Sequence, residues 1–215
     1  GQLLTLLGDA ERTALFGHEL GHFLAHGPTS PDAPLALVSR WILEAHDKVP
    51  DHAVRSVRQL SMAREITADR FGLLATGDLD AALRLEVVCT TGLSVEALAF
   101  DRETYLDQCR ALVEEHEESG DEARGHSHPE HGVRAWALWL FSETEAYQEL
   151  TGEGPGTREL AAVDARIERV LQGAAPDALM EGVQALQPLP EVHECALACA
   201  VMVAVADDVI TDEEE

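Results

Sequence analysis

The sequence predicts a mainly α protein, and three observations carry that expectation. Apolar residues recur with a 3.6-residue period through most of the chain, the segments so marked start at capping residues and stop at Gly or Pro, and no stretch shows a convincing strand-like alternation of apolar and polar residues. With 215 residues and 46% hydrophobic content the chain can bury one good core or two modest ones.

The first helix is expected over residues 9–26, with Asp9 as its N-cap, Gly27 as its stop and Pro28 just beyond. Further helices are expected near 33–47, 52–76, 79–91 and 101–118, and in the second of these segments Val54, Val57, Leu60 and Phe71 supply the apolar positions. The stretch "EEHEESGDEARGHSHPEHG", acidic and containing Gly and His, reads as a mobile loop ahead of the aromatic segment "VRAWALWLF", which belongs to a helix near 130–149. In "TGEGPGT" three Gly and a Pro mark a linker, which divides the chain into domains 1–150 and 151–215. The second is expected to be a small helical module, with helices near 158–172, 175–186 and 191–206. No internal repeat is evident.

Forty acidic residues against fifteen basic ones give a formal charge of −25, which repels nucleic acid and anionic lipid, so neither is expected as a partner. The acidity reads as a solvated surface. The longest apolar run, "ALACAVMVAVA", suits a buried helix rather than a span, and insertion of this chain into a membrane is not expected. Cys89, Cys109, Cys195 and Cys199 form no C-x-x-C pair and are too sparse for a disulfide scaffold, so they read as buried free thiols in a reducing, cytoplasmic compartment. The sequence starts at Gly1 without Met, from which a missing native N-terminus is expected.

Chemistry concentrates in "FGHELGHFLAHG". Residues i and i+4 share a helix face, so His18 and His22 can aim ring nitrogens at one metal ion. Glu19, about 100° further round, can reach a water on the metal without ligating it, as a general base requires. A catalytic zinc needs three protein ligands and an open position. An extended H-E-x-x-H-x-x-G-x-x-H helix cannot supply the third, because Ala25 and Pro28 stand where Gly and His would be required. A second helix can: "SMAREITADRFG" offers Glu65 as ligand and Asp69, one turn on, to fix a histidine ring through its N–H, although taken alone the pair reads as two exposed acids of an acidic chain.

In "GQLLTLLGDAERTALFGHELGHFLAHG", "REITADRFG" and "SHPEHGVRAWAL", in that order, the chain resembles the gluzincin metallopeptidases related to the heat-shock protease HtpX and the CAAX prenyl protease, over roughly Gly1 to Phe141. The resemblance implies a zincin-type helical metallopeptidase domain. It also implies zinc held by His18, His22 and Glu65, with Glu19 as base, Asp69 behind a ligand, and His128 and Arg134 at the cleft edge. It further implies β-strands ahead of the H-E-x-x-H helix, one of which binds extended substrate, and the sequence starts just after that region. A fragment or split gene product is therefore expected, with a separate N-terminal piece or partner protein alongside a protein or peptide substrate. His128 is a candidate to steady the oxyanion or to occupy the open metal position. His26 reads as a helix-end residue, and His116, His126 and His131 as solvated.

"CALACAVMVAVADDVITDEEE" resembles the first half of a tellurite-resistance TerB-like motif, with Asp208 where Gly is expected; a generic buried helix followed by an N-cap at Thr211 explains the same letters. The expected function is zinc-dependent peptide-bond hydrolysis. The rival from another class is a catalytically inactive zinc-containing interaction module.

Overall fold

The computed structural model describes residues 2–27, 30, 33–44, 48–119, 130–152 and 154–172. Of these 82% are helical and none forms a strand, as the mainly α expectation requires. His128, His126, Cys195, Cys199, the segments near 175–186 and 191–206, and the TerB-like stretch lie outside the described residues.

In chain order the α-helices are α1 (Leu3–Leu6), α2 (Asp9–His26), α3 (Ala33–Glu44), α4 (Asp51–Thr76), α5 (Leu79–Thr91), α6 (Arg102–Ser119), α7 (His131–Ser142), α8 (Glu145–Thr151) and α9 (Leu160–Gln172). A 3-10 turn, Val95–Ala97, lies between α5 and α6. Local chemistry sets several of these ends. Asp78 accepts the Ala81 N–H at 3.0 Å to open α5, while Gly77 (φ 62°) and Gly92 (φ 69°) close α4 and α5 in the left-handed conformation that glycine adopts without strain.

Four departures from the sequence reading have physical causes. Asp9 opens α2 as its first residue, and Gly8 is the cap, so the acid sits in the first turn, where the helix dipole favours it. The additional turn α1 precedes it, and Arg12 Nε donates to Leu4 O at 3.0 Å across the joint. α6 continues to Ser119, so the stretch read as a loop from residue 114 is helical over its first six positions. The helix expected over 130–149 is two, because Glu143 O accepts the N–H groups of Thr157 and Arg158 at 3.0 and 3.1 Å, and Glu145 N–H donates to Arg158 O at 2.9 Å. Those bonds replace intrahelical ones, and Thr144, whose hydroxyl accepts the Tyr147 N–H, caps α8 as a new start.

The main core gathers Ile66 of α4, Leu83 of α5, Leu106, Cys109 and Val113 of α6, and Val133, Trp136 and Leu140 of α7. The "TGEGPGT" stretch lies between α8 and α9, and α9 lays Val163, Ile167 and Val170 into this same core. Spaced i, i+4 and i+7, the three form one helical stripe, and burying each contributes roughly 1.5–3 kcal/mol before the cost of ordering.

The pairing that matters for function is α2 with α4, which run antiparallel along a glycine seam. A Cβ on Gly17 would stand 2.5 Å from Ala75 Cβ, one on Gly21 2.8 Å from Phe71 Cβ, and one on Gly72 2.7 Å from Ala14 O. Only glycine lets the two backbones come this close. The approach brings His18 and His22 up against Glu65 and Asp69.

Candidate metal centre

His18 and His22 lie one turn apart on α2, and Glu65 and Asp69 one turn apart on α4. Because the helices are antiparallel, His22 meets Glu65 while His18 meets Asp69. His22 Nε2 is 3.4 Å from Glu65 Oε1, His18 Nε2 is 3.7 Å from Glu65 Oε2, and the two Nε2 atoms are 3.0 Å apart. Donors around a tetrahedral ion at zinc-like bond lengths stand about 3.3 Å apart, so two imidazoles and a carboxylate with these separations fit a divalent metal with one position open. The ligand atoms of His18, His22 and Glu65 all lie within 4.8 Å of one another.

His18 is oriented from behind. Its Nδ1 is 2.8 Å from Asp69 Oδ1, and with Asp69 only 5% exposed the sharing of a proton there fixes the tautomer: Nδ1–H donates to the carboxylate and Nε2 faces the triad. Asp69 in turn accepts Arg134 Nε at 2.8 Å on Oδ2 and Arg134 Nη2 at 2.6 Å on Oδ1. Arg134 is a largely buried side chain that donates to the same carboxylate as His18. Burial is the largest influence on Asp69 and raises its pKa, but the Arg134 and His18 hydrogen bonds outweigh it and hold the carboxyl below its ordinary range.

The two histidines diverge. Burial pulls His18 down most strongly, yet the Asp69 hydrogen bond, with the Asp69 and Glu65 charges, carries its pKa above the ordinary value. Burial also leads for His22 and wins there, against the upward pull of Glu65 and Glu19.

Sequence reasoning missed the next layer. Glu86 of α5 is 2% exposed; its Oε2 lies 2.6 Å from His131 Nδ1 and its Oε1 3.4 Å from Arg134 Nη2. His131, expected to be solvated, is thus tied to a buried carboxylate. The available signal was an acid four residues after Ala82 and three after Leu83, on the apolar face of α5.

Glu19 is exposed on α2. Beside it Phe16 (60%), Leu20 (53%), Phe23 (56%) and Leu24 (53%) form an exposed apolar stripe, opposite the seam with α4. His26 ends α2 half-buried, and His116 lies 3.9 Å from Glu130. Cys109 is a buried free thiol as expected, whereas Cys89 is exposed because it falls on the outer face of α5. Among the described residues no helix is long and apolar enough to cross a membrane.

No protein-family model, curated protein or solved structure matches the chain.

Proposed function

We propose that the chain is the helical part of a zinc metallopeptidase akin to the HtpX and CAAX prenyl protease gluzincins, hydrolysing peptide bonds in protein or peptide substrates. The observation that carries the reading is the convergence of His18, His22 and Glu65 with Asp69 on the far nitrogen of His18. Two imidazoles and one carboxylate, with an orienting carboxylate behind, form the donor set of a catalytic rather than a structural zinc.

Bound there, zinc supplies Lewis acidity, which lowers the pKa of a water and polarises a carbonyl. The chain's residues do the rest. His18 offers Nε2 as a ligand because Asp69 holds the proton side of the ring, and Arg134 keeps Asp69 anionic. Glu19, one residue from His18 and free of the ligand set, takes the proton of the attacking water on its carboxylate and passes it to the leaving amine. His128 is assigned as the group that steadies the developing oxyanion. The free thiols of Cys89 and Cys109 fit a reducing, cytoplasmic setting.

A second reading, an inactive zinc-containing interaction module, draws on the exposed stripe of Phe16, Leu20, Phe23 and Leu24, which suits a partner protein or a separate N-terminal piece. Turnover separates the two. The zinc-loaded full-length protein incubated with a broad peptide library should cleave a subset, lose that activity to a chelator and regain it with zinc. A fully zinc-loaded full-length protein that cleaves nothing selects the module.

A further inference from the structure

We propose that Glu86 and His131 are positioning residues for the metal centre: Glu86 shares with Asp69 the Nη2 of Arg134, and His131 holds Glu86 in place, so that Asp69 stays aligned on His18. The inference rests on the metal-site reading and extends it two residues deeper, to groups with no place in the ligand set or in the proton transfer.

The geometry is a chain across four helices. His18 (α2) donates to Asp69 (α4) at 2.8 Å, Arg134 (α7) donates twice to Asp69, and the same Arg134 Nη2 lies 3.4 Å from Glu86 Oε1 (α5). The other Glu86 oxygen, Oε2, is 2.6 Å from His131 Nδ1, and His131 stands three residues before Arg134 on one face of α7. One guanidinium is therefore held between two carboxylates. Each carboxylate in turn carries a histidine, and one of those histidines belongs to the triad.

Two arguments make this more than core packing. Replacing a buried ionic cluster by apolar side chains of similar volume is often neutral or stabilising, so a carboxylate on the apolar face of α5 is poorly explained by fold stability. Charge supplies the second. Paired with Asp69 alone, Arg134 would cancel the anion that polarises His18; shared with Glu86, it leaves Asp69 more of its acceptor strength. His131 occupies the outer Glu86 oxygen and keeps the carboxylate turned toward Arg134.

The test uses the full 215-residue chain and two readouts, zinc affinity by chelator competition and the His18 Nδ1–H resonance of the metal-free protein by NMR. Glu86→Gln should weaken zinc about 10-fold, the low end of the range for groups behind a ligand, and should shift or broaden the resonance. In an Asp69→Asn background it should add nothing, because the chain of contacts is already cut. A Glu86→Gln protein that is less heat-stable but unchanged in both readouts would make Glu86 a packing residue and overturn the proposal, as would a full additional loss in the Asp69→Asn background. If Glu86→Gln does not fold, the half-exposed His131→Ala takes its place, with a few-fold loss of affinity and the same resonance change expected; no change in either overturns the proposal. A wild type that binds no zinc, but whose His18 resonance moves in Glu86→Gln, would end the metal reading and leave the positioning of His18 standing.

Discussion

Replacing Asp69 by Asn keeps the side-chain shape but removes the charge and one acceptor. The carboxylate, 5% exposed, accepts three N–H groups at 2.6–2.8 Å, two from Arg134 and one from His18. An Asn there presents an NH2 donor to other donors, and Arg134 keeps only Glu86, at 3.4 Å, as a close anionic partner. Breaking a buried ion pair from one side costs about 3–5 kcal/mol, and the surviving Glu86 contact puts the expected cost at about 3 kcal/mol. For a chain of this size that lowers the Tm by about 6–12 °C. Zinc should weaken independently by about 10–100-fold, since His18 loses the partner that fixes its tautomer. Calorimetry of the metal-free protein and competition against a chromophoric chelator read the two effects separately. A lower Tm with unchanged zinc affinity would reduce Asp69 to a structural role, and no change in either would refute the buried network itself.

Three further outcomes follow from the same geometry. Glu65→Ala should lose most of its zinc, because two imidazoles alone make a weak site, and metal analysis at full occupancy would remove Glu65 from the ligand set. His18 has a raised pKa when folded and metal-free, so its protonation contributes stability that is fully present below about pH 6.5 and is lost as pH rises through the raised value. Zinc affinity must run the other way, strengthening with pH across that window as the proton leaves Nε2; a titration showing flat affinity from about pH 6 to 8 would contradict the assignment. Gly17→Ala would drive a methyl to 2.5 Å from Ala75 Cβ and 2.9 Å from Phe71 O, forcing α2 off α4 at a cost of about 1–3 kcal/mol and weakening zinc with it. Unchanged melting and unchanged affinity would show that the seam can absorb a methyl.

What could be read from the sequence was local. The helices over 9–26, 52–76 and 79–91 carry both period and stop within their own residues, with Gly77 and Gly92 ending two of them where a left-handed residue is needed. The i, i+4 spacings that place His18 beside His22 and Glu65 beside Asp69 are equally local. Their meeting across the seam depends on Gly17, Gly21 and Gly72, whose role appears only when two backbones are set side by side. The break between α7 and α8 was hidden for the same reason: the bonds that cause it come from Thr157 and Arg158. Glu86 and His131 were obscured by abundance, one acid among forty and one histidine among ten, although an acid on the apolar face of α5 was a readable anomaly.

The measurement that tests the account most directly compares wild type with Glu19→Gln in the full-length protein, both zinc-loaded, for cleavage of the same peptide library. Glu19 is exposed and outside the ligand set, so the variant should match wild type in zinc content and Tm while its cleavage rate falls by about 10²–10⁴-fold. A variant that cleaves as fast as wild type, or a wild type that cleaves nothing, would contradict the peptidase assignment.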